Sequence, residues 1–208
     1  GTGCTSPRKA ITVTVIPTPE LPEVADKTIC SGQSAILSVI SPTLNYTYRW
    51  YNSGGTLVAT GTSFTTPALT ANTTYFVEAA TSGSPSCVSS RKAVAVNVTT
   101  LPAVPNADDV TICAASTATL TVKTIETGIT YNWYSVATGG APIANGTSFT
   151  TSSLTSNRTY YLEAVSANGC ASPSRRAVSV SVTPQPAQPS APDYTICAGE
   201  RVTMAVTT

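Results

Sequence analysis

Histidine is missing from all 208 residues, methionine occurs once, and only a tenth of the chain is charged, with Lys+Arg 11 against Asp+Glu 10. Without histidine the commonest general base and the commonest metal ligand are both gone. So few and so balanced charges provide neither the basic footprint that nucleic acid requires nor an acidic tail. No run approaches the roughly 20 apolar residues of a membrane-spanning helix, and the first residues lack the basic and apolar regions of a signal peptide. Apolar residues at helical spacing are also missing. The expectation is a chain with no catalytic residue, no cofactor, no bound metal, no nucleic-acid partner and no membrane span in this stretch.

Thr, Ser, Ala and Val dominate instead, and at 41% the apolar fraction is too high for a disordered Ser/Thr-rich stalk. The chain is also internally repetitive, which organises everything else. Thr28-Ile29-Cys30 returns as Thr111-Ile112-Cys113 and Thr195-Ile196-Cys197, at offsets of 83 and 84 residues. Tyr48-Arg49-Trp50-Tyr51 returns as Tyr131-Asn132-Trp133-Tyr134. Gly61-Thr62-Ser63-Phe64-Thr65-Thr66 matches Gly146-Thr147-Ser148-Phe149-Thr150-Thr151 at an offset of 85, so the second copy holds two extra residues around Thr138-Gly139-Gly140, a surface hairpin. Because the chain opens in the middle of a motif that recurs later, it reads as part of something longer. The expected division is residues 1–16 as the last strand of a preceding repeat, 17–101 and 102–184 as two complete repeats, and 185–208 as the first part of a following one.

Within a repeat the period is 2. Ile11, Val13 and Val15 alternate with threonine, and Val94, Val96 and Val98 with Ala95 and Asn97, the pattern of a strand buried on one face. Seven strands follow for the first repeat, at about residues 24–29, 34–40, 46–52, 56–60, 63–67, 74–80 and 91–100, separated by turns rich in Gly, Pro, Ser and Asn. Seven strands in some 83 residues suit an all-β, Ig-like antiparallel sandwich. Trp50 and Trp133 fall in the third strand, where such a sandwich buries a tryptophan, with Tyr48 and Tyr131 on the same face. Tyr75 and Tyr160 stand six residues after Leu69 and Leu154, where a tyrosine corner would sit, and each hydroxyl is expected to bond backbone near that turn. Proline-rich stretches at residues 17–22, 101–105 and 184–189 read as extended, semi-rigid linkers, so the array is expected to be a rod.

Together, Thr-Ile-Cys, Tyr-x-Trp-Tyr, the Gly-Gly turn, Gly-Thr-Ser-Phe-Thr-Thr, Leu-Thr-x-Asn-x-Thr-Tyr and Cys-x-Ser-x-Arg resemble the Ig-like repeats of large secreted and surface proteins of Bacteroidetes, gliding adhesins among them. The resemblance covers the whole chain; Ser86-Cys87 replaces the usual Gly-Cys in the first repeat. It implies export by a dedicated route, exposure at the cell surface and a role in adhesion or gliding. The expected partners are neighbouring repeats of the same chain, with surface polysaccharide or substratum as further candidates. Two other classes remain, a carbohydrate-binding Ig-like module and a spacer in a secreted hydrolase.

The carboxylates form no recognisable acid–base pair, and Glu78, Glu163, Asp26, Asp108, Asp109 and Asp193 read as solvated surface charge. Asp108-Asp109 offers too few oxygen ligands for Ca²⁺. Arg8, Arg91 and Arg175 each open a basic pair at the start of a last strand. These read as charges guarding a sheet edge, or alternatively as a repeated contact for anionic polysaccharide. The six cysteines argue for disulfides in an exported chain, since none has zinc-ligand spacing. Pairing within a repeat would join Cys30 to Cys87 and Cys113 to Cys170. Strand topology favours the alternative: the first turn and the last loop lie at opposite ends of a sandwich, roughly 30 Å apart, whereas a disulfide needs Cα atoms within about 7 Å. In a head-to-tail array Cys30 reaches Cys170, and Cys4, Cys87, Cys113 and Cys197 find partners in other repeats.

Overall fold

A computed structural model describes residues 1 and 3–206. It divides into two units, Gly1–Thr100 and Leu101–Thr208. In the first, the strands are β1 (Lys27–Cys30), β2 (Ile36–Ser38), β3 (Tyr46–Tyr51), β4 (Leu57–Thr60), β5 (Ser63–Thr65), β6 (Thr73–Thr81) and β7 (Lys92–Thr99). They form a five-stranded sheet ordered β1-β7-β6-β3-β4 facing the pair β2-β5. The second repeats this plan with β8 (Val110–Cys113), β9 (Thr119–Thr121), β10 (Ile129–Tyr134), β11 (Ala144–Asn145), β12 (Ser148–Thr150), β13 (Arg158–Ser166) and β14 (Arg176–Thr183). Its sheets are β11-β10-β13-β14-β8 and β12-β9. The chain is all-β, two tandem Ig-like sandwiches, with no helix among the described residues.

Alternation builds each core. Tyr48 and Trp50 of β3, Tyr75, Val77 and Ala79 of β6, and Val94 and Val96 of β7 point inward, and all are buried. Leu37 closes the opposite side from β2. Trp50 and Trp133 are both 0% exposed, and their indole N–H groups donate to the carbonyls of Gly61 and Gly146 at 2.9 and 3.1 Å. The one polar atom of the largest core side chain is thereby satisfied, which burial demands. Phe64 stacks near Trp50 and meets Tyr75 edge-on at 5.0 Å; Phe149 does the same with Trp133 and Tyr160.

Two expectations need correction. Among the described residues, the tyrosine hydroxyls that bond backbone are those of the third strand of each repeat, not those of the expected corner. Tyr48 Oη accepts from Thr43 N–H at 2.9 Å, and Tyr131 Oη accepts from Glu126 N–H at 3.0 Å and donates to Thr124 O at 3.1 Å. Tyr75 and Tyr160 instead spend their rings on Phe64 and Phe149; Tyr75 is buried and Tyr160 partly buried. The loop before β3 brings the Thr43 amide to Tyr48, and the loop before β10 brings the Glu126 amide and the Thr124 carbonyl to Tyr131.

The sandwich is also not wholly antiparallel. β1 runs parallel to β7, with Lys27 opposite Val96 and Cys30 opposite Thr99, and β8 runs parallel to β14 in the same register. Asp26 and Asp109 fasten these pairs by accepting the N–H of Ala95 and Ser179, each at 2.8 Å. Residues 11–15, read as the last strand of a preceding repeat, lie outside any strand among the described residues, with Ile11, Val13 and Val15 83%, 82% and 84% exposed. The sequence-equivalent β7 is held by β6 on one side and β1 on the other, and no strand among the described residues flanks residues 11–15 in that way.

Candidate functional site

Each domain has a leading end, where the chain enters, and a trailing end, where it leaves, and cysteine marks both. In the first domain the parallel register sets Cys30 beside Thr99, at the trailing end of β7. Cys87 lies at the leading end: its carbonyl accepts from Thr81 N–H at 3.0 Å, and Thr81 is paired with Tyr46 at the start of β3. The eight residues of β7 separate these positions by roughly 25 Å at about 3.3 Å per residue. That is more than three times the reach of a disulfide, so Cys30 and Cys87 of one domain cannot join. Cys113 and Cys170 occupy the same two ends in the second domain, Cys113 opposite Thr183 and Cys170 held by Ser166. Cys30 is disulfide-bonded. So is Cys170, which is buried. Cys4, Cys87, Cys113 and Cys197 are free thiols, all exposed except the half-buried Cys87, whose Sγ lies 3.7 Å from Ile16 O.

A second constellation lies on the outer face of the larger sheet. Tyr51, Glu78 and Arg91 come from β3, β6 and the approach to β7, and the pairing of these elements makes them neighbours. Tyr51 Oη donates to Glu78 Oε1 at 2.7 Å, Arg91 Nε donates to Glu78 Oε2 at 3.0 Å, and the guanidinium lies 3.6 Å above the Tyr51 ring centroid. Arg49 adds an ion pair to the same carboxylate at 3.6 Å. Glu78 is 7% exposed, so the reading of a solvated carboxylate is wrong for it. Burial pushes its pKa up, but the Tyr51 hydrogen bond and the two arginines outweigh that and hold it below the usual carboxylate range. Tyr51 is pushed above its ordinary value, first by burial and then by the facing carboxylate. The second domain reproduces the clasp: Tyr134 Oη to Glu163 at 2.8 Å, Arg175 Nε to Glu163 at 3.2 Å, and Arg175 at 3.3 Å over the Tyr134 ring. Arg175 goes further, its Nη1 donating to Val136 O and Gly139 O at 2.9 and 2.8 Å across the enlarged hairpin. That hairpin turns on Gly139 and Gly140, both at positive φ, and a Cβ at Gly140 would meet Val136 Cγ2 at 2.9 Å.

The remaining predicted residues scatter. Arg8 is exposed and outside any strand. Asp108 pairs with Lys123 at 2.7 Å, and Asp109 is engaged on β14. Sequence reasoning passed over Thr66 and Thr151, whose buried hydroxyls accept the N–H of Ala35 and Ala118, and Ser89 and Ser172, which serve Ala79 and Ala164. Their recurrence at repeat spacing was the available signal. No group of three or more metal-ligating side chains gathers among the described residues, and no helix there is long and apolar enough to cross a membrane.

The family model described as "Ig-like domain CHU_C associated" matches residues 19–100 and again 102–184. No curated protein matches the chain. Among solved structures, the fibronectin(III)-like modules of Clostridium thermocellum CbhA align at 16% identity and TM-score 0.43, over 77% of this chain and 91% of that one. The FN1-FN3 domains of chicken CNTN1 align at 12% identity and TM-score 0.41, over 80% and 68%. The I9-I11 tandem of titin aligns at 11% and 0.39, over 79% and 65%.

Proposed function

We propose, from the premise that the chain belongs to the family of CHU_C-associated Ig-like domains and carries two of them in tandem, that it is a stalk region of a large adhesin on a bacterial cell surface. In this reading it is extracellular and non-enzymatic, and its repeats hold an adhesive tip away from the cell, as in the gliding-motility adhesin SprB that its motifs resemble. Its first partners are the neighbouring repeats, with residues 1–16 and 185–208 belonging to domains on either side.

One observation carries the proposal: cysteines sit at both ends of a domain that is too long for them to join across it. Cys30 and Cys170 are each disulfide-bonded while Cys87 and Cys113, their within-domain counterparts, are free. A bridge from the trailing end of one domain to the next domain's last loop accounts for this, and Cys4, Cys87, Cys113 and Cys197 then await partners in further repeats. Disulfides persist in oxidising, extracellular surroundings, which supports the localisation. Such staples restrict bending at each linker, as suits a load-bearing stalk.

Non-reducing peptide mapping of the chain by mass spectrometry tests the staple. A peptide joining Cys30 to Cys170 is expected; one joining Cys30 to Cys87 overturns it. The stalk role is tested in the parent protein by exchanging these repeats for an unrelated Ig-like array of equal length. Adhesion is retained if they act as spacer and is lost if they are themselves the adhesive surface.

A further inference from the structure

The two copies of the clasp differ, and the difference leaves one of them open. In the second domain Arg175 is enclosed, its side chain 10% exposed, with Nη1 committed to the two hairpin carbonyls. In the first domain the hairpin is two residues shorter, and Arg91 is 41% exposed. Its Nε serves Glu78, and no hydrogen bond ties its Nη groups to the hairpin among the described residues. They border instead on a pocket of about 300 Å³ lined by Asn52, Ser53, Gly55, Phe76 and Arg91.

The lining specifies a ligand. Asn52 Oδ1 already accepts Thr56 N–H at 2.9 Å, so the amide NH₂ is the end left over. With Ser53 and Arg91 this makes a donor-rich rim on which no unmatched carboxylate stands. The electrostatics agree. Arg49 and Arg91 face the single Glu78, one positive charge in surplus, whereas Asn132 takes the place of Arg49 opposite Glu163. Phe76, half-buried on the same face, supplies an apolar wall of the kind the C–H face of a pyranose packs against. A volume at the small end of ligand pockets admits about one sugar ring.

We propose that the first domain, and not the second, binds the carboxylate of an acidic saccharide at the outer edge of Arg91, with Phe76 beneath the ring and Asn52 and Ser53 at its hydroxyls. A bidentate guanidinium–carboxylate contact is the strong element, and the shallow, wet pocket keeps each site weak. Each repeat with the shorter hairpin adds one such site to an array, so affinity for a polymer rises with their number. The site does not depend on the inter-domain staple, so either reading can fail without the other.

The test is amide NMR of the full chain at about 150 mM salt, where unpaired surface charge is largely screened, titrated with trigalacturonate and, separately, with galactose. Saturable shifts are expected at Asn52, Ser53, Gly55, Phe76 and Arg91, in the millimolar range, with none at residues 135–142. Galactose is expected to bind at least ~10-fold more weakly, since the charge-assisted contact is lost. Phe76→Ala should weaken trigalacturonate by about 5-fold. Grafting the longer second-domain hairpin onto the first should abolish binding while the Tyr51–Glu78–Arg91 clasp remains. Equal response of both hairpins, no saturation, equal binding of galactose, or unchanged binding after the graft would each overturn the site.

Discussion

Tension applied between the two termini should distinguish a stapled chain from a string of independent beads. With Cys30 joined to Cys170, load passes along residues 1–30, through the bridge, and on along residues 170–208. Everything between lies outside the load path: β2 to β7, the linker, and β8 to β13. That is ~140 residues, or on the order of 470 Å of extended chain at about 3.4 Å per residue. The strands left in the path are β1, immediately before Cys30, and β14, after Cys170. Both are already near full extension, so peeling them adds little length. Single-molecule pulling in non-reducing buffer should therefore show no domain-sized extension. After reduction, or in Cys30→Ser, two steps should appear, each nearing 280 Å less the folded span of one domain, as ~83 residues are released at a time. Two such steps in oxidised, unmutated protein, unaltered by reductant, would refute the staple and with it the stalk mechanism.

Other consequences follow from the two cores and their clasps. Trp50→Ala should destabilise the first domain by about 3–5 kcal/mol, through lost burial and the cavity left behind, and leave the second domain's thermal transition in place. Tyr48→Phe should cost about 1 kcal/mol because the Thr43 amide loses its acceptor, whereas Tyr75→Phe should lie within about 0.5 kcal/mol of wild type; the reverse order in chemical denaturation would restore the tyrosine corner. Glu78 is more acidic folded than unfolded, so its contribution is present above the unfolded carboxylate range and is lost as pH falls through the lower folded value; Glu78→Gln should remove that acid-side slope and about 1–2 kcal/mol at neutral pH. Tyr51 is less acidic folded than unfolded, so the clasp is intact below the unfolded tyrosine value of ~10 and weakens as pH rises through the higher folded one; Tyr51→Phe should flatten that alkaline loss in a pH series of melting temperatures.

The sequence by itself determined the repeat, its seven strands and the inward-facing residues, because these are local or periodic properties. Alternation of Val94, Val96 and Val98, or a tryptophan two residues after a tyrosine, commits a strand to a face wherever that strand later pairs. Other features depended on which strands become neighbours. Glu78 looked solvated because Tyr51 and Arg91, which bury and neutralise it, lie 27 and 13 residues away and meet it only once β3, β6 and β7 share a sheet. Tyr48 and Tyr75 are alike on paper, both inward-facing core tyrosines, and only the path of the loop before β3 decides which hydroxyl finds backbone. Residues 11–15 have the alternation of β7 but not its position, since alternation states a preference for burial while pairing supplies the neighbours that satisfy it. For the cysteines, the strand count already put Cys30 and Cys87 at opposite ends of a domain, beyond the short reach of a covalent bond; the tertiary structure added the means, the parallel pairing of β1 with β7 that seats Cys30 beside Thr99.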